Sequence, residues 1–378
     1  MDFSTSTDVL VEILLRLPPS ARRRARLVCK LWRESVDERT TEMQSRAQPL
    51  LWNTRAAVAY TDDPSTGSCT VVWRSSRPCA DPYADADLQL VGTCNGLLCL
   101  CDNGERSGGA VTLVNPATGE SLLVPPLPCT EYVFGRRRCH RRWDKAYSFG
   151  YHPTSGRYKV VHVPCSFGGW SSGSDGVCDF GALQVLTLGQ EATWREVPSA
   201  GDTRCNLEAG IVSVDGTTYW VTVGSAAARV MSFSLDDERV VAFAMPLAAL
   251  LAGPGNYHLA EVHGRLGMVV HDRSASGRST GVWVLTEKGL WTRRYSLHSH
   301  DLTRPHFVYG EDVLTHHGRL LYGHRPKSDM PLPYQVMKIN DKDQGTPFAR
   351  VSGETSFCRS RTYAYVQTME PLGVYAAR

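Results

Sequence analysis

The sequence predicts a small N-terminal all-α module followed by an all-β, propeller-like domain of repeated antiparallel hairpins. Three observations predict it. Apolar residues recur at helical spacing only within residues 1–46. From about residue 50 onward, short apolar runs alternate with turn segments rich in Pro and Gly. Several of these segments repeat one another at intervals of roughly 40 to 50 residues, as four-stranded blades do in sequence. The division that follows is residues 1–46 for the helical module and residues 47–378 for the β domain.

In the first segment Val9, Leu10, Ile13, Leu14 and Leu17 fall on one face of a helix. Ser6 or Thr7 can cap its start, Asp8 and Glu12 suit the positive helix end, and Pro18-Pro19 stops it. Ser20 offers a second cap, after which Ala21, Ala25, Val28, Leu31, Trp32 and Val36 carry an apolar face to about Met43. Two or three short helices in about 40 residues cannot bury all of these side chains unaided. Either the module docks on the rest of the chain, or its apolar face belongs to a partner.

In the β region one turn device occurs three times, as Asp63-Pro64-Ser65-Thr66-Gly67, Asn115-Pro116-Ala117-Thr118-Gly119 and His152-Pro153-Thr154-Ser155-Gly156. Proline presets φ at the first turn position, and glycine accepts the left-handed conformation that returns the chain into a hairpin. A second unit pairs Gln184–Thr187 with Trp194, and Trp283–Thr286 with Trp291. A third reads Asp215-Gly216, His263-Gly264 and His317-Gly318, each followed by a strand-like run. The intervals are uneven: Pro64 to Pro116 is 52 residues and Pro116 to Pro153 is 37. A solenoid or irregular sandwich stays open on that count, and the repeated hairpins favour a propeller.

Asp8-Val9-Leu10-Val11-Glu12-Ile13-Leu14-Leu15-Arg16-Leu17-Pro18, followed by Arg26-Leu27-Val28-Cys29-Lys30-Leu31-Trp32-Arg33, closely resembles the F-box. Thr5-Ser6 stand where that family usually has Leu-Pro, which implies a weaker grip on its adaptor. Gly92–Leu100, Val114–Thr118 and Phe149–Pro153 with Tyr158–Val161 resemble the F-box-associated domain of the large plant F-box families. The two resemblances occur in the expected order. Together they imply a substrate adaptor that binds a Skp-type adaptor and, through it, a cullin–RING ubiquitin ligase. The adaptor-binding residues they imply are Val9, Leu10, Ile13, Leu14, Leu17, Pro18, Val28, Cys29 and Trp32.

Composition narrows the alternatives. The chain is 42% hydrophobic and 21% charged with a formal net charge of +3, which is no footprint of a dedicated nucleic-acid or membrane binder. Neither a signal peptide nor an apolar run long enough to cross a bilayer is visible. The longest apolar stretch, Val240 to Ala252, is broken by Pro246. The 12 cysteines include no Cys-x-x-Cys pair and read as reduced and mostly buried. The expected location is therefore cytoplasmic, nuclear or both.

Chemistry-bearing motifs do not hold up in context. Gly169-Trp170-Ser171-Ser172-Gly173 matches a nucleophile elbow, but no helical pattern follows it, so it reads as a surface loop. His316-His317 would point to opposite faces of a strand, and His258, His263 and His271 lack a completing Cys or carboxylate. Asp236-Asp237 reads as a solvated hairpin tip. The expectation is no catalysis, no cofactor and no metal.

Two basic clusters remain. Arg22-Arg23-Arg24 with Arg26 read as an exposed face or as adaptor-facing charge. Arg136–Arg142 read as a long charged loop, a nuclear localisation signal or a contact for an acidic target, and lack the interleaved aromatics of a nucleic-acid platform. The target itself is unidentified by sequence; the inserts at Val133–Asp144 and Ser166–Gly176 are the candidate loops for it. Rival readings are a propeller enzyme or carbohydrate-binding protein with a helical cap, and an F-box protein acting outside ubiquitylation.

Overall fold

A computed structural model describes residues 3–17, 21, 25, 28–39, 47–53, 56–60, 69–76, 87–128, 142–152, 156–167, 178–189, 193–198, 203–223, 228–272, 279–298, 306–309, 312–317, 320–324, 337–340, 346–350 and 362–376. The N-terminal module contains helix α1 (Phe3–Arg16) and helix α2 (Lys30–Arg39), which lie against each other. Helix α1 starts earlier than the capping pattern suggests, so Ser6 and Thr7 lie inside it and not at its N-cap. The apolar run after Ala21 is not one helix either. Val28 N–H bonds back to Ala25 O at 3.1 Å, and a new helix begins at Lys30.

Beyond residue 47 the described residues form five four-stranded sheets, one five-stranded sheet and a two-stranded ribbon. Blade 1 combines Gln48–Asn53, Ala56–Tyr60 and Cys69–Arg74 with Thr362–Tyr365. Blade 2 is Leu88–Cys94, Leu97–Asp102, Ala110–Val114 and Ser121–Leu123; blade 3 is Tyr147–His152, Arg157–His162, Leu183–Thr187 and Trp194–Val197. Blade 4 holds Ile211–Val214, Thr217–Val221, Arg229–Ser234 and Val240–Ala244. Blade 5 holds Tyr257–Val262, Arg265–Asp272, Ser279–Leu285 and Trp291–His298, with Met337–Asn340 added in parallel at its outer edge. Blade 6 is His306–Tyr309, Asp312–His317, Leu320–His324 and Thr346–Arg350. The innermost strands lie beside one another in the cyclic order 2, 3, 4, 5, 6, 1 and back to 2, which closes a propeller.

Each hairpin follows from its turn chemistry. Asn95-Gly96, Asp215-Gly216 and His263-Gly264 have positive φ at both positions, the requirement of a tight hairpin whose twist matches its strands. They join the first and second strands of blades 2, 4 and 5. Apolar layers fill the spaces between neighbouring blades. One spans blades 2 to 4 around Trp143, Tyr158, Trp220 and Phe233, and another joins blades 4 and 5 around Val221, Leu259 and Met268. The repeated tryptophans tie outer edges together: Trp194 Nε1 donates to Pro125 O at 2.9 Å, and Trp291 Nε1 to Ala244 O at 2.8 Å. A polar tie joins blades 3 and 4, where buried Lys159 donates to Leu235 O and, at 2.6 Å, to Glu238.

The ring is closed by residues from both ends of the β domain. Thr362–Tyr365 pairs antiparallel with Gln48–Leu51, so the last strand becomes the innermost strand of blade 1. It also bonds to blade 2: Tyr363 OH donates to Leu90 O at 2.8 Å, and Thr93 Oγ1 donates to Ala364 O at 2.5 Å. The tail then crosses blade 2. Fully buried Asn115 donates its amide to Glu370 O at 2.7 Å and Thr368 O at 3.2 Å, and Glu120 accepts Leu372 N–H at 2.8 Å. A methyl group at Gly96 would collide with Val366 O and Thr368, so the tail needs glycine there for space as well as for φ. Tyr375 ends the tail edge-on to Tyr158 of blade 3, ring centroids 5.4 Å apart.

Strand direction separates two faces. The first-to-second and third-to-fourth turns emerge on the face crossed by the tail, and Gln48 enters blade 1 there, opposite Tyr365. The second-to-third and blade-to-blade connections emerge on the other face. These include 103–109, 124–146, 163–182 and helix α3 (Leu247–Ala252).

Two stability predictions follow from these contacts. Asn115→Ala strands two buried carbonyls and should cost about 2–3 kcal/mol, read as a lower urea midpoint; an unchanged midpoint would mean the tail is not held by this amide. His162 is fully buried between Tyr147 and Phe180, neither ring nitrogen has a hydrogen-bond partner among the described residues, and burial lowers its pKa from 6.5 to about 3. The folded chain stays neutral there while the unfolded chain takes up a proton below pH 6.5, so stability falls with pH between about 6.5 and 3. At pH 5 the loss should be about 2 kcal/mol. Comparing wild type with His162→Phe at pH 7.5 and 5 isolates it, and equal losses in both proteins would refute it.

Candidate docking surface

Among the described residues of the helical module, some apolar side chains are buried and others stand open to solvent. Val11 and Leu14 are buried, Leu14 completely, whereas Val9 is 57% and Ile13 is 51% exposed. Val9 and Ile13 lie one turn apart on α1, so their side chains stack on one face. Val28, in the turn before α2, and Leu31, in its first turn, are 63% and 51% exposed. Leu10, Leu17 and Trp32 are half-buried, Cys29 is exposed, and Pro18 lies outside the described residues. Four exposed aliphatic side chains in so small a module leave apolar area that water solvates poorly.

The sequence-predicted residues therefore divide. Val9, Ile13, Val28 and Cys29 face solvent; Leu10, Leu17 and Trp32 form the margin; Leu14 is internal to the chain. Leu31 was absent from the predicted set and is 51% exposed. Exposed pairs at helical spacing, Glu12–Arg16 at 3.8 Å and Lys30–Glu34 at 3.5 Å, contribute little stability and keep the remaining helix surface wet. Arg22–Arg24 and Arg26 lie outside the described residues.

On the β domain, the two candidate inserts begin and end at the loop face. Most of Val133–Asp144 and of Ser166–Gly176, including Gly169–Gly173, lies outside the described residues. Their anchors meet in one aromatic stem. Trp143 packs on Phe167 at 4.6 Å and on Phe180 at 6.1 Å, and those two residues belong to the ribbon Cys165–Phe167 with Cys178–Phe180. Arg142, last of the basic run, is bidentate to Asp144 at 2.9 and 3.0 Å, and this hydrogen bonding raises its already high pKa. Asn103 binds Asp144 through both amide ends, at 2.9 and 3.0 Å.

The histidines are dispersed. His258 and His271 stack at 5.4 Å with His271 Nδ1 3.1 Å from Thr280 Oγ1, while His263 Nε2 meets Tyr295 OH at 2.8 Å. Among the described residues no group of three or more His, Cys, Asp or Glu side chains is placed to hold a metal ion. Asp236 and Asp237 are exposed at a hairpin tip, as expected. Half-buried Cys94 and buried Cys99, Cys101 and Cys205 have thiol pKa values raised by desolvation, Cys94 to about 12. All four pack in or against the apolar layer of blades 2 to 4, which favours the protonated thiol. No helix among the described residues is long and apolar enough to cross a membrane.

Comparison with known proteins agrees with both parts of this architecture. The chain matches the F-box domain over residues 6–40 and the F-box associated beta propeller domain over residues 62–322. F-box protein At3g07870 of Arabidopsis thaliana is 24% identical, covering 86% of this chain and 85% of that protein. Putative F-box protein At5g52610 of the same plant is also 24% identical, covering 80% of each. Among solved structures, a nidogen/laminin complex aligns with a TM-score of 0.43 at 9% identity over 85% of this chain and 99% of that chain. With both matches in order along one chain, the protein belongs to the plant F-box proteins that carry an F-box-associated β-propeller.

Proposed function

We propose that the chain is a non-catalytic substrate adaptor: residues 1–46 bind a Skp-type adaptor of a cullin–RING ubiquitin ligase, and residues 47–378 hold a target protein. The observation that carries this reading is the exposure of four aliphatic side chains, Val9, Ile13, Val28 and Leu31, on an F-box module. Burying four such side chains contributes about 1.5–3 kcal/mol each before the costs of association, enough for a stable complex. Leu10, Leu17, Pro18, Cys29 and Trp32 complete the contact, and Leu14 supports it from inside by holding α1 in place.

The target would bind at the loop face, where the inserts around 133–144 and 166–176 share one stem. The helical module enters blade 1 from the opposite face, beside the C-terminal tail. A target gripped on the loop face thus leaves the adaptor row unobstructed. The protein would act by raising the effective concentration of target lysines near a ubiquitin-charged enzyme, in the cytoplasm, the nucleus or both. It needs no cofactor for this.

Ile13→Asp tests the docking row, because Ile13 is exposed in the free chain and the substitution leaves the module folded. In a complex the new carboxylate would be buried unpaired at a cost of about 3 kcal/mol or more, over 100-fold in affinity. Leu17→Asp should behave likewise, while Arg16→Ala should leave co-purification with a Skp-type adaptor intact. Full recovery of the complex with Ile13→Asp would place the interface elsewhere.

A further inference from the structure

Of the 41 basic side chains in the sequence, 34 are arginine and 7 are lysine. The two cations serve solubility alike, and they differ as nucleophiles. A lysine ammonium, with an ordinary pKa of about 10.4, gives up a proton to become a reactive amine. The guanidinium of arginine stays charged and delocalised at every working pH. Arginine in place of lysine therefore keeps the charge of a surface and removes its reactive amines.

Most of the described lysines are engaged. Lys159 is buried, and its Nζ donates to Leu235 O and, at 2.6 Å, to Glu238. Lys145 donates to Glu208 at 2.5 Å, with 22% of its side chain exposed. Lys30 pairs with Glu34 at 3.5 Å and stands between Cys29 and Leu31, at the proposed docking contact. Lys288 is exposed in the turn 286–290 of blade 5 and, among the described residues, makes no ion pair. Lys327 and Lys342 lie outside the described residues, as does the side chain of Lys338. Arginines supply exposed cations on several blades: Arg157 on blade 3, Arg229 and Arg239 on blade 4, and Arg265 on blade 5. Among the described residues of the propeller, Lys288 apart, lysine stands where its amine is bound within the fold, and the open cations are arginines.

In a ubiquitin ligase the acceptor is chosen by reach. A lysine Nζ, as the free amine, attacks the thioester carbonyl carbon of the ubiquitin-charged enzyme. The C–N isopeptide bond forms and the C–S bond breaks; its electron pair leaves with the enzyme's thiolate, and the nitrogen's proton passes to solvent. Any amine held near that thioester competes, because tethering sets its effective concentration. The adaptor's own surface is tethered there for as long as the complex lasts. We infer that the arginine-for-lysine surface of the propeller is a specificity device, which withholds acceptor amines so that ubiquitin goes to the bound target and not to the adaptor itself. The inference rests on the ligase reading and adds how such a ligase separates target from adaptor.

The test uses the full-length chain assembled with a Skp-type adaptor and a cullin–RING ligase, supplied with ubiquitin and its activating and conjugating enzymes, and no target. Wild type is compared with a variant carrying Arg157→Lys, Arg229→Lys, Arg239→Lys and Arg265→Lys together. All four positions are exposed, every charge is kept, and surface exchanges of this kind leave the fold intact. Among the described residues of the propeller the open amines rise from one to five, so ubiquitin conjugated to the chain itself should rise about threefold or more. Equal self-conjugation of wild type and variant, whether high in both or low in both, would overturn the inference. Adaptor co-purification separates it from the reading beneath it. If both proteins recover the adaptor and self-conjugate equally, only the specificity device fails; if neither recovers it, the ligase reading fails and this inference falls with it.

Discussion

Everything else in the β domain depends on closing the ring. A propeller blade cannot bury both of its faces alone; it needs a neighbour on each side, so an open ring would leave two apolar sheet faces in water. Here the missing neighbour is made by pairing Thr362–Tyr365 with Gln48–Leu51, chain segments about as far apart as the domain allows. Such a pairing carries a large loop-closure cost and forms late unless held by strong local contacts. Asn115, Glu120, Gly96, Thr93 and Tyr363 supply those contacts within blades 1 and 2. The tail is a clamp, and its receptor is built from turn residues of blade 2.

That arrangement changes the meaning of two sequence motifs. Asn95-Gly96 and Asn115-Pro116-Ala117-Thr118-Gly119 are legible as hairpin turns from φ preferences alone, and they are turns. Their second role is to accept the tail, and it depends on residues some 250 positions away, which no local pattern encodes. The hairpins, the helical start and the F-box spacing were readable because they rest on near-neighbour geometry. The break between Ala25 and Lys30 was not, because Val28, Leu31 and Trp32 keep a helical period straight across it. Nor could periodicity distinguish Leu14, which is internal, from Ile13, which is exposed; both lie in an apolar run, and only packing against α2 separates them. Uneven spacing of the turn devices also has a structural reason: some mark third-to-fourth turns and others first-to-second turns, on the same face of the ring.

A rigid ring suits an adaptor. The chain enters the ring at one face, and the second-to-third and blade-to-blade connections leave it at the other, which in the proposed function separates the two binding roles. Neither role asks for bond chemistry. The buried thiols, the neutral His162 and the Lys159–Glu238 tie serve packing and registration between blades.

The most direct measurement of this account is hydrogen exchange of the full-length chain with and without a saturating Skp-type adaptor. Strong protection confined to α1 and to the segment from Val28 through α2, with the propeller unchanged, is the predicted result. Protection spread over the blades, or absent from both helices, would contradict the division of labour between an adaptor-binding module and a separate target-binding ring.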